Sequence, residues 1–219
     1  MTAQRTKGLR VLLAGASGLV GGHCLSKLLA DDAISDITVF ARQALTRTDP
    51  KLRVVVLDFD HLREHAQDLE ADVALCCLGT THRAAGSPEA FAKVDHIYVA
   101  ELGRLAALRR VRRFVLVSAV VADPASPVFY NRIKGRAEAA ISEMPFEAVH
   151  ILRPSLLLGE RAAPRPAEEW SKPFAPLWSL FLWGPLNRYR AVAAETVAAR
   201  MVELAKSDET GVQIHYFNE

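Results

Sequence analysis

The sequence predicts an α/β protein built on a doubly wound, mostly parallel sheet, and three observations carry that prediction. Short apolar runs alternate with stretches of helical periodicity along the 219 residues, the pattern of βαβ units. The first run, Leu9 to Ala14, passes through a glycine-rich turn directly into the first helical stretch. Half of the residues are apolar and 24% are charged, which supports a sizeable core and excludes a disordered chain. The length suits one domain over residues 1–219. The 27 Lys+Arg against 25 Asp+Glu leave +2, without the basic excess of a dedicated nucleic-acid-binding domain.

The elements follow in order. Leu9 to Ala14 reads as a buried strand, and the helix after the turn runs to about Ala30 with Leu25, Leu28 and Leu29 inward. Ile37 to Phe40 and Val54 to Leu57 are the next strands, and a short helix near His61 to Leu69 leads to the strand Val73 to Leu78. Ser87 offers a capping hydroxyl with Pro88 at the first helical position, and that helix should reach about Arg110. Phe114 to Ser118 is the fifth strand, followed by a helix over Phe129 to Ser142 and a strand from Phe146 to Leu152. Residues 155–190 break the pattern with prolines and the aromatics Trp170, Phe174, Trp178, Phe181 and Trp183. They read as a cap or lid, a homo-oligomer contact or an interfacial anchor, set against plain core of a small C-terminal substrate region. A helix over Val192 to Ala205 and a strand near Val212 to His215 close the chain.

Cys24, Cys76 and Cys77 cannot form a disulfide framework and suit a reducing compartment. No apolar stretch approaches the roughly 20 residues of a membrane span, so the expected location is the cytoplasm.

The chemistry begins at Gly15-Ala-Ser-Gly18-Leu-Val-Gly21, whose glycine spacing between strand and helix is a dinucleotide fingerprint in its proper context. Gly15 permits the tight turn, Gly18 brings backbone to a pyrophosphate, and Gly21 lets helix pack on strand. Gly15, Ser17, Gly18, Leu19, Val20 and Gly21 are therefore the candidate phosphate cradle of a Rossmann-type sheet. A bare β-turn-α junction would use the same glycines for packing alone. The second strand ends Phe40-Ala41-Arg42, with Arg47 close behind, where an NAD-preferring chain places an acid on the ribose 2′-hydroxyl. A guanidinium suits a 2′-phosphate, so NADP(H) is inferred over NAD(H), with Arg42 the favoured contact and a solvated strand-end arginine the bland alternative. Tyr130-Asn-Arg-Ile-Lys134 puts a phenol and an ammonium on one helix face. The ammonium favours the phenolate, which makes Tyr130 a usable proton donor or acceptor; a solvated helix with an incidental Tyr and Lys gives the same match.

These motifs, with Cys77-Leu-Gly79 and Ser118 between them, stand in the order of the short-chain dehydrogenase/reductase superfamily, which the chain resembles from about Leu9 to Gly159. Leu152-Arg153-Pro154 followed by Gly159 is similar to its extended and atypical branches. Cys76-Cys77-Leu78-Gly79-Thr80-Thr81, the spacing of Val94-Asp95 and Tyr98-Val99, and Lys134-Gly135 with Glu138-Ala139 resemble the Tat-interacting-protein-like atypical reductases over nearly the whole chain. That resemblance implies an NADPH-binding protein with a poorly defined small-molecule substrate, for which regulatory roles stand beside reductase activity. It implies pyrophosphate at Gly15, Gly18 and Gly21, 2′-phosphate at Ser17 and Arg42, and the adenine edge at Asp58 and Phe59. Leu78, Gly79 and Thr80 would follow the ribose, Lys134 the nicotinamide ribose, and Pro154 to Leu156 the nicotinamide. Hydride would pass between nicotinamide and a substrate carbonyl while Tyr130 exchanges the proton and Ser118 orients the oxygen.

The chain departs from the superfamily in two places. Val117-Ser118-Ala119-Val120 has one serine where many members have two, so Ser118 points away if Ala119 takes the catalytic place. Asp95 stands about where extended members carry an asparagine that supports the lysine through water. Three functions therefore compete: an NADP(H)-dependent oxidoreductase, an NADPH-binding regulatory or scaffold protein with little turnover, and a nucleotide-sugar epimerase or dehydratase, which Ser155 to Glu219 is short to accommodate. His61-Leu-Arg-Glu64-His65 reads as a surface helix and not a zinc site, so no metal is expected. Arg109 to Arg113 reads as a solvated helix end and not a nucleic-acid patch, and Cys76 and Cys77 read as strand residues.

Overall fold

The computed structural model describes residues 8–159 and 191–217. The aromatic and proline-rich stretch read as a lid, with Trp170 to Trp183, lies outside the described residues. A seven-stranded, all-parallel sheet runs in the order β3-β2-β1-β4-β5-β6-β9. Its strands are β1 (Leu9–Ala14), β2 (Ile34–Ala41), β3 (Leu52–Val56), β4 (Val73–Cys76), β5 (Arg113–Val117), β6 (Ala148–Arg153) and β9 (Gly211–Tyr216). The strand order reverses between β1 and β4, and in such Rossmann-like α/β sheets ligands bind at that switch point, outside the carboxyl ends of the strands.

Alternation along each strand divides the core between two faces. Val11, Leu13, Val73 and Leu75 meet helices α1 (Leu19–Ala30) and α6 (Ala194–Ala205), whereas Leu12, Ala14, Ala74 and Cys76 meet α4 (Tyr98–Leu108) and α5 (Phe129–Ser142). Both faces are dry, which is why these strands read as continuous apolar runs. Cys24 and Cys77 each approach Met201 Sδ at 3.6 Å, pinning α1 and the end of β4 to α6. Burial pushes the Cys76 thiol up to about 12, so it is an inert core residue as its strand position suggested.

The helix started by Ser87 is compound. The Ser87 hydroxyl accepts from the Ala90 amide at the start of α3 (Pro88–Ala92), a π-turn occupies Lys93–Ile97, and α4 completes it. The π-turn is the distortion that brings Asp95 into the interior. Three short elements escape the periodicity argument: α2 (His82–Ala85) and the two-residue parallel strands β7 (Leu157–Leu158) and β8 (Val192–Ala193). The segment Phe59–Asp68 is a run of short 3₁₀ turns broken by non-helical backbone at His61 and His65, so the two histidines do not share a helix face; His65 turns to Asp68 at 3.2 Å instead. The arginine run divides as well: Arg109 donates to the Leu69 carbonyl, and Arg113 to the Ala205 carbonyl. No described helix is long and apolar enough to cross a membrane.

Candidate functional site

The turn after β1 is built to exclude side chains. Gly15 adopts φ +89, and a Cβ there would lie 2.5 Å from the Cys77 carbonyl oxygen at the end of β4. At Gly21 a Cβ would come within 2.1 Å of the Gly15 carbonyl oxygen. Gly18 forms the N-cap of α1 and supplies no side-chain acceptor, and the first turn holds no acidic residue. The leading amides of α1 therefore keep their donors and the positive end of the helix dipole for an outside anion. Ser17 and Gly18 are exposed beside them, Leu19 is half-buried, and Val20 and Gly21 are buried. The residues fit a dinucleotide pyrophosphate.

Arg42 follows β2 and is exposed. Arg47 lies elsewhere, donating to Ser26 Oγ on α1 at 2.8 Å, which leaves Arg42 the better placed guanidinium for a 2′-phosphate. Asp58 is exposed and caps the 3₁₀-helix through the Asp60 amide, while Phe59 is buried with its ring 5.5 Å from that of Tyr98. Phe59 therefore offers a ligand only its backbone.

The second half of the site gathers at the ends of β4, β5 and β6. The close approach of Gly15 to Cys77 joins the two halves, and Leu78, Gly79 and Thr80 continue the rim. A Cβ on Gly79 would lie 3.4 Å from Asp95 Oδ1 and 3.6 Å from Lys134 Nζ. Those two groups form a buried ion pair at 2.8 Å, and the other Asp95 oxygen accepts from the Thr80 amide at 2.8 Å. Burial alone would lower the Lys134 pKa; the charges of Asp95 and Tyr130 and the hydrogen bond to Asp95 outweigh it and raise the pKa above the ordinary lysine value. Lys134 is thus a permanent cation at the floor of the site. The asparagine-through-water arrangement implied by the resemblance is replaced here by direct contact between carboxylate and ammonium.

Tyr130 lies half-buried in the first turn of α5, and its ring is 5.6 Å from Phe91. His82 stacks on Phe91 at 4.6 Å with the planes 3° apart, and Phe129 lies 5.5 Å from His82 and 5.9 Å from Phe91. This ring cluster was not legible in the sequence, because its members come from α2, α3 and α5 and no spacing connects them. Ser118 comes immediately after β5 and is 6% exposed, and its hydroxyl has no hydrogen-bond partner among the described residues. An orphaned buried hydroxyl is costly unless a ligand completes it. Ala119 is buried beside it. Pro154 is buried with its carbonyl accepting from Val120, and Leu156 is exposed at the mouth. Arg153 is held by Glu138 of α5 through two bonds of 3.0 and 2.5 Å, which fixes the chain entering Pro154 against α5.

Residues 15–166 match the family described as NAD(P)H-binding. Protein HTATIP2 of Rattus norvegicus is 36% identical over 168 residues, 75% of this chain and 69% of that protein. The protein named fmp52, mitochondrial, of Emericella nidulans is 33% identical over 172 residues, 75% of this chain and 74% of that one. Among solved structures, the oxidoreductase ylbE from Lactococcus lactis has a TM-score of 0.69 at 19% identity, covering 95% of this chain and 91% of its own. The UDP-glucose 4-epimerase of Thermotoga maritima, solved with UDP-glucose, has a TM-score of 0.71 at 13% identity, covering 96% of this chain and 78% of its own. At those identities the two structures share the Rossmann-like fold.

Proposed function

The chain belongs to the NAD(P)H-binding family, and from that premise we propose that it is an NADP(H)-dependent oxidoreductase of the short-chain type acting on a small carbonyl or hydroxyl compound. One observation supports this reading most: the glycine turn at Gly15 to Gly21 and the Tyr130–Lys134 helix open at the same carboxyl end of the sheet, joined through Cys77 and Gly79. When bound, the nicotinamide supplies or takes up the hydride. The turn would hold the pyrophosphate, Arg42 would select the 2′-phosphate, and Lys134 with Leu78 to Thr80 would hold the ribose. Tyr130 passes the proton to or from the substrate oxygen, and the Ser118 hydroxyl orients that oxygen. The exposed ring of His82 and the half-buried ring of Phe129, packed on buried Phe91 beside Tyr130, favour a flat, apolar carbonyl. The unpaired thiols suit the reducing cytoplasm.

A second reading, an NADPH-binding regulatory protein with little turnover, is favoured by the Lys134–Asp95 contact, which directs the ammonium toward a carboxylate as well as the phenol. The two separate in one experiment. NADPH oxidation is followed over a panel of aldehydes, ketones and quinones with wild type and Tyr130→Phe. The oxidoreductase reading expects turnover that falls about 100-fold or more in the variant while NADPH affinity is kept. Tight NADPH binding with no Tyr130-dependent turnover would install the regulator in its place.

A further inference from the structure

β9 is the last strand of the sheet and hydrogen bonds to β6. Between the two strands, away from the nucleotide site, His150 of β6 and His215 of β9 meet on the face covered by α6. His150 Nδ1 lies 3.1 Å from His215 Nε2 and 3.9 Å from Glu209 Oε2, in the turn that leads into β9. One ligand atom from each of the three residues falls within 4.8 Å of the others. We propose that His150, Glu209 and His215 bind a divalent transition-metal ion of the Zn²⁺ class, which staples β9 to β6.

Two imidazoles and a carboxylate are ligands that Zn²⁺ takes together, with water in the fourth position. A tetrahedral ion with ligand bonds of about 2.0–2.1 Å holds its ligand atoms about 3.3 Å apart. The 3.1 Å histidine pair is nearly in place, whereas Glu209, 3.9 Å from His150 and within 4.8 Å of His215, must draw in further. The adjusting group is the free one: the Glu209 side chain is 51% exposed, whereas the His150 ring is fully buried and fixed. Cations nearby do not prevent binding. Arg200 is held by Glu203 at 2.6 Å and Arg113 faces Asp208 at 3.6 Å, which leaves the Glu209 charge for the metal. His215 also borders a cleft of about 610 Å³ with Arg200, Glu203 and Tyr216.

The pair of histidines is separated by 65 residues, and no ligand-spacing pattern announces it. Its register does: Leu152 pairs with His215 and His150 with Gln213, which sets the two rings on one face of adjacent strands.

The test uses the full chain without an affinity tag, stripped with chelator. Zn²⁺ is titrated by calorimetry, and Co²⁺ is added to read the visible bands of four-coordinate cobalt. The expected results are a dissociation constant of about 1 µM or tighter and, at hundredfold excess, an unfolding midpoint raised by about 5 °C or more. His215→Gln and Glu209→Gln, both at solvent-accessible positions, should fold with unchanged circular dichroism and NADPH affinity while losing at least about tenfold in Zn²⁺ affinity. Absence of any Zn²⁺-dependent shift, or undiminished affinity in both variants, would overturn the site and leave a plain histidine–histidine hydrogen bond.

Discussion

The turn after β1 excludes side chains, whereas the ends of β4 and β5 are filled with them. In the first region the glycines answer a steric requirement: Gly15 and Gly21 occupy places where a Cβ would meet a carbonyl oxygen at 2.5 and 2.1 Å. In the second the requirement is electrostatic, and it is met by Lys134, whose charge Asp95 secures in a buried position. A steric site tolerates no substitution and varies little in what it binds. An electrostatic site can be retuned by one residue, and Asp95 is such a retuning.

The largest break in this comparison is expected on the steric side. Gly21→Val drives a branched side chain into the Gly15 carbonyl and should remove both NADPH binding and several kcal/mol of stability, read by denaturant unfolding and nucleotide titration. Asp95→Asn comes next, leaving Lys134 buried without its counter-charge at a cost of about 3–5 kcal/mol in the same unfolding measurement. The pH dependence of the wild-type pair has a definite sign. The folded Lys134 pKa is raised above the ordinary 10.5, so its contribution is complete below pH 10.5 and is lost as pH climbs through the folded value. Chemical denaturation should therefore show the Asp95→Asn deficit undiminished at neutral pH and shrinking only in strong alkali. Tyr130→Phe should lower kcat by about 100-fold or more with stability and NADPH affinity kept, which separates chemistry from nucleotide binding. The smallest effect sharpens the contrast between buried and exposed pairs: Lys27→Ala removes the solvent-side contact with Glu195 at 2.9 Å and should cost less than about 1 kcal/mol.

The same contrast explains what was legible from residues alone. β1 and α5 are read from the sequence with the bounds they have in the fold, and α1 with its end at Ala30, although α1 begins at Leu19 inside the glycine turn. The capped start at Ser87 was legible because a hydroxyl followed by proline is a local signal. The π-turn at Lys93–Ile97 was not, since it follows from where Asp95 must reach and not from the propensity of its own residues. β7 and β8 are held by pairing between distant segments, which periodicity within either cannot show. At the site, the phosphate turn and the Tyr130–Lys134 spacing were legible. The ion pair across 39 positions, the His82–Phe91–Phe129 cluster and the buried, unpartnered state of Ser118 arise only when the sheet brings its strand ends together.

The central claim is that backbone at Gly15 to Gly21 holds a dinucleotide and that Arg42 chooses the phosphorylated one. Its most direct test is the pair of dissociation constants for NADPH and NADH, measured for wild type and Arg42→Ala. The account predicts that wild type prefers NADPH and that the variant loses about 10- to 100-fold toward NADPH with NADH nearly unchanged, the scale of one charge-assisted contact to a phosphate. An equal loss for both nucleotides, or no binding of either to wild type, would contradict it.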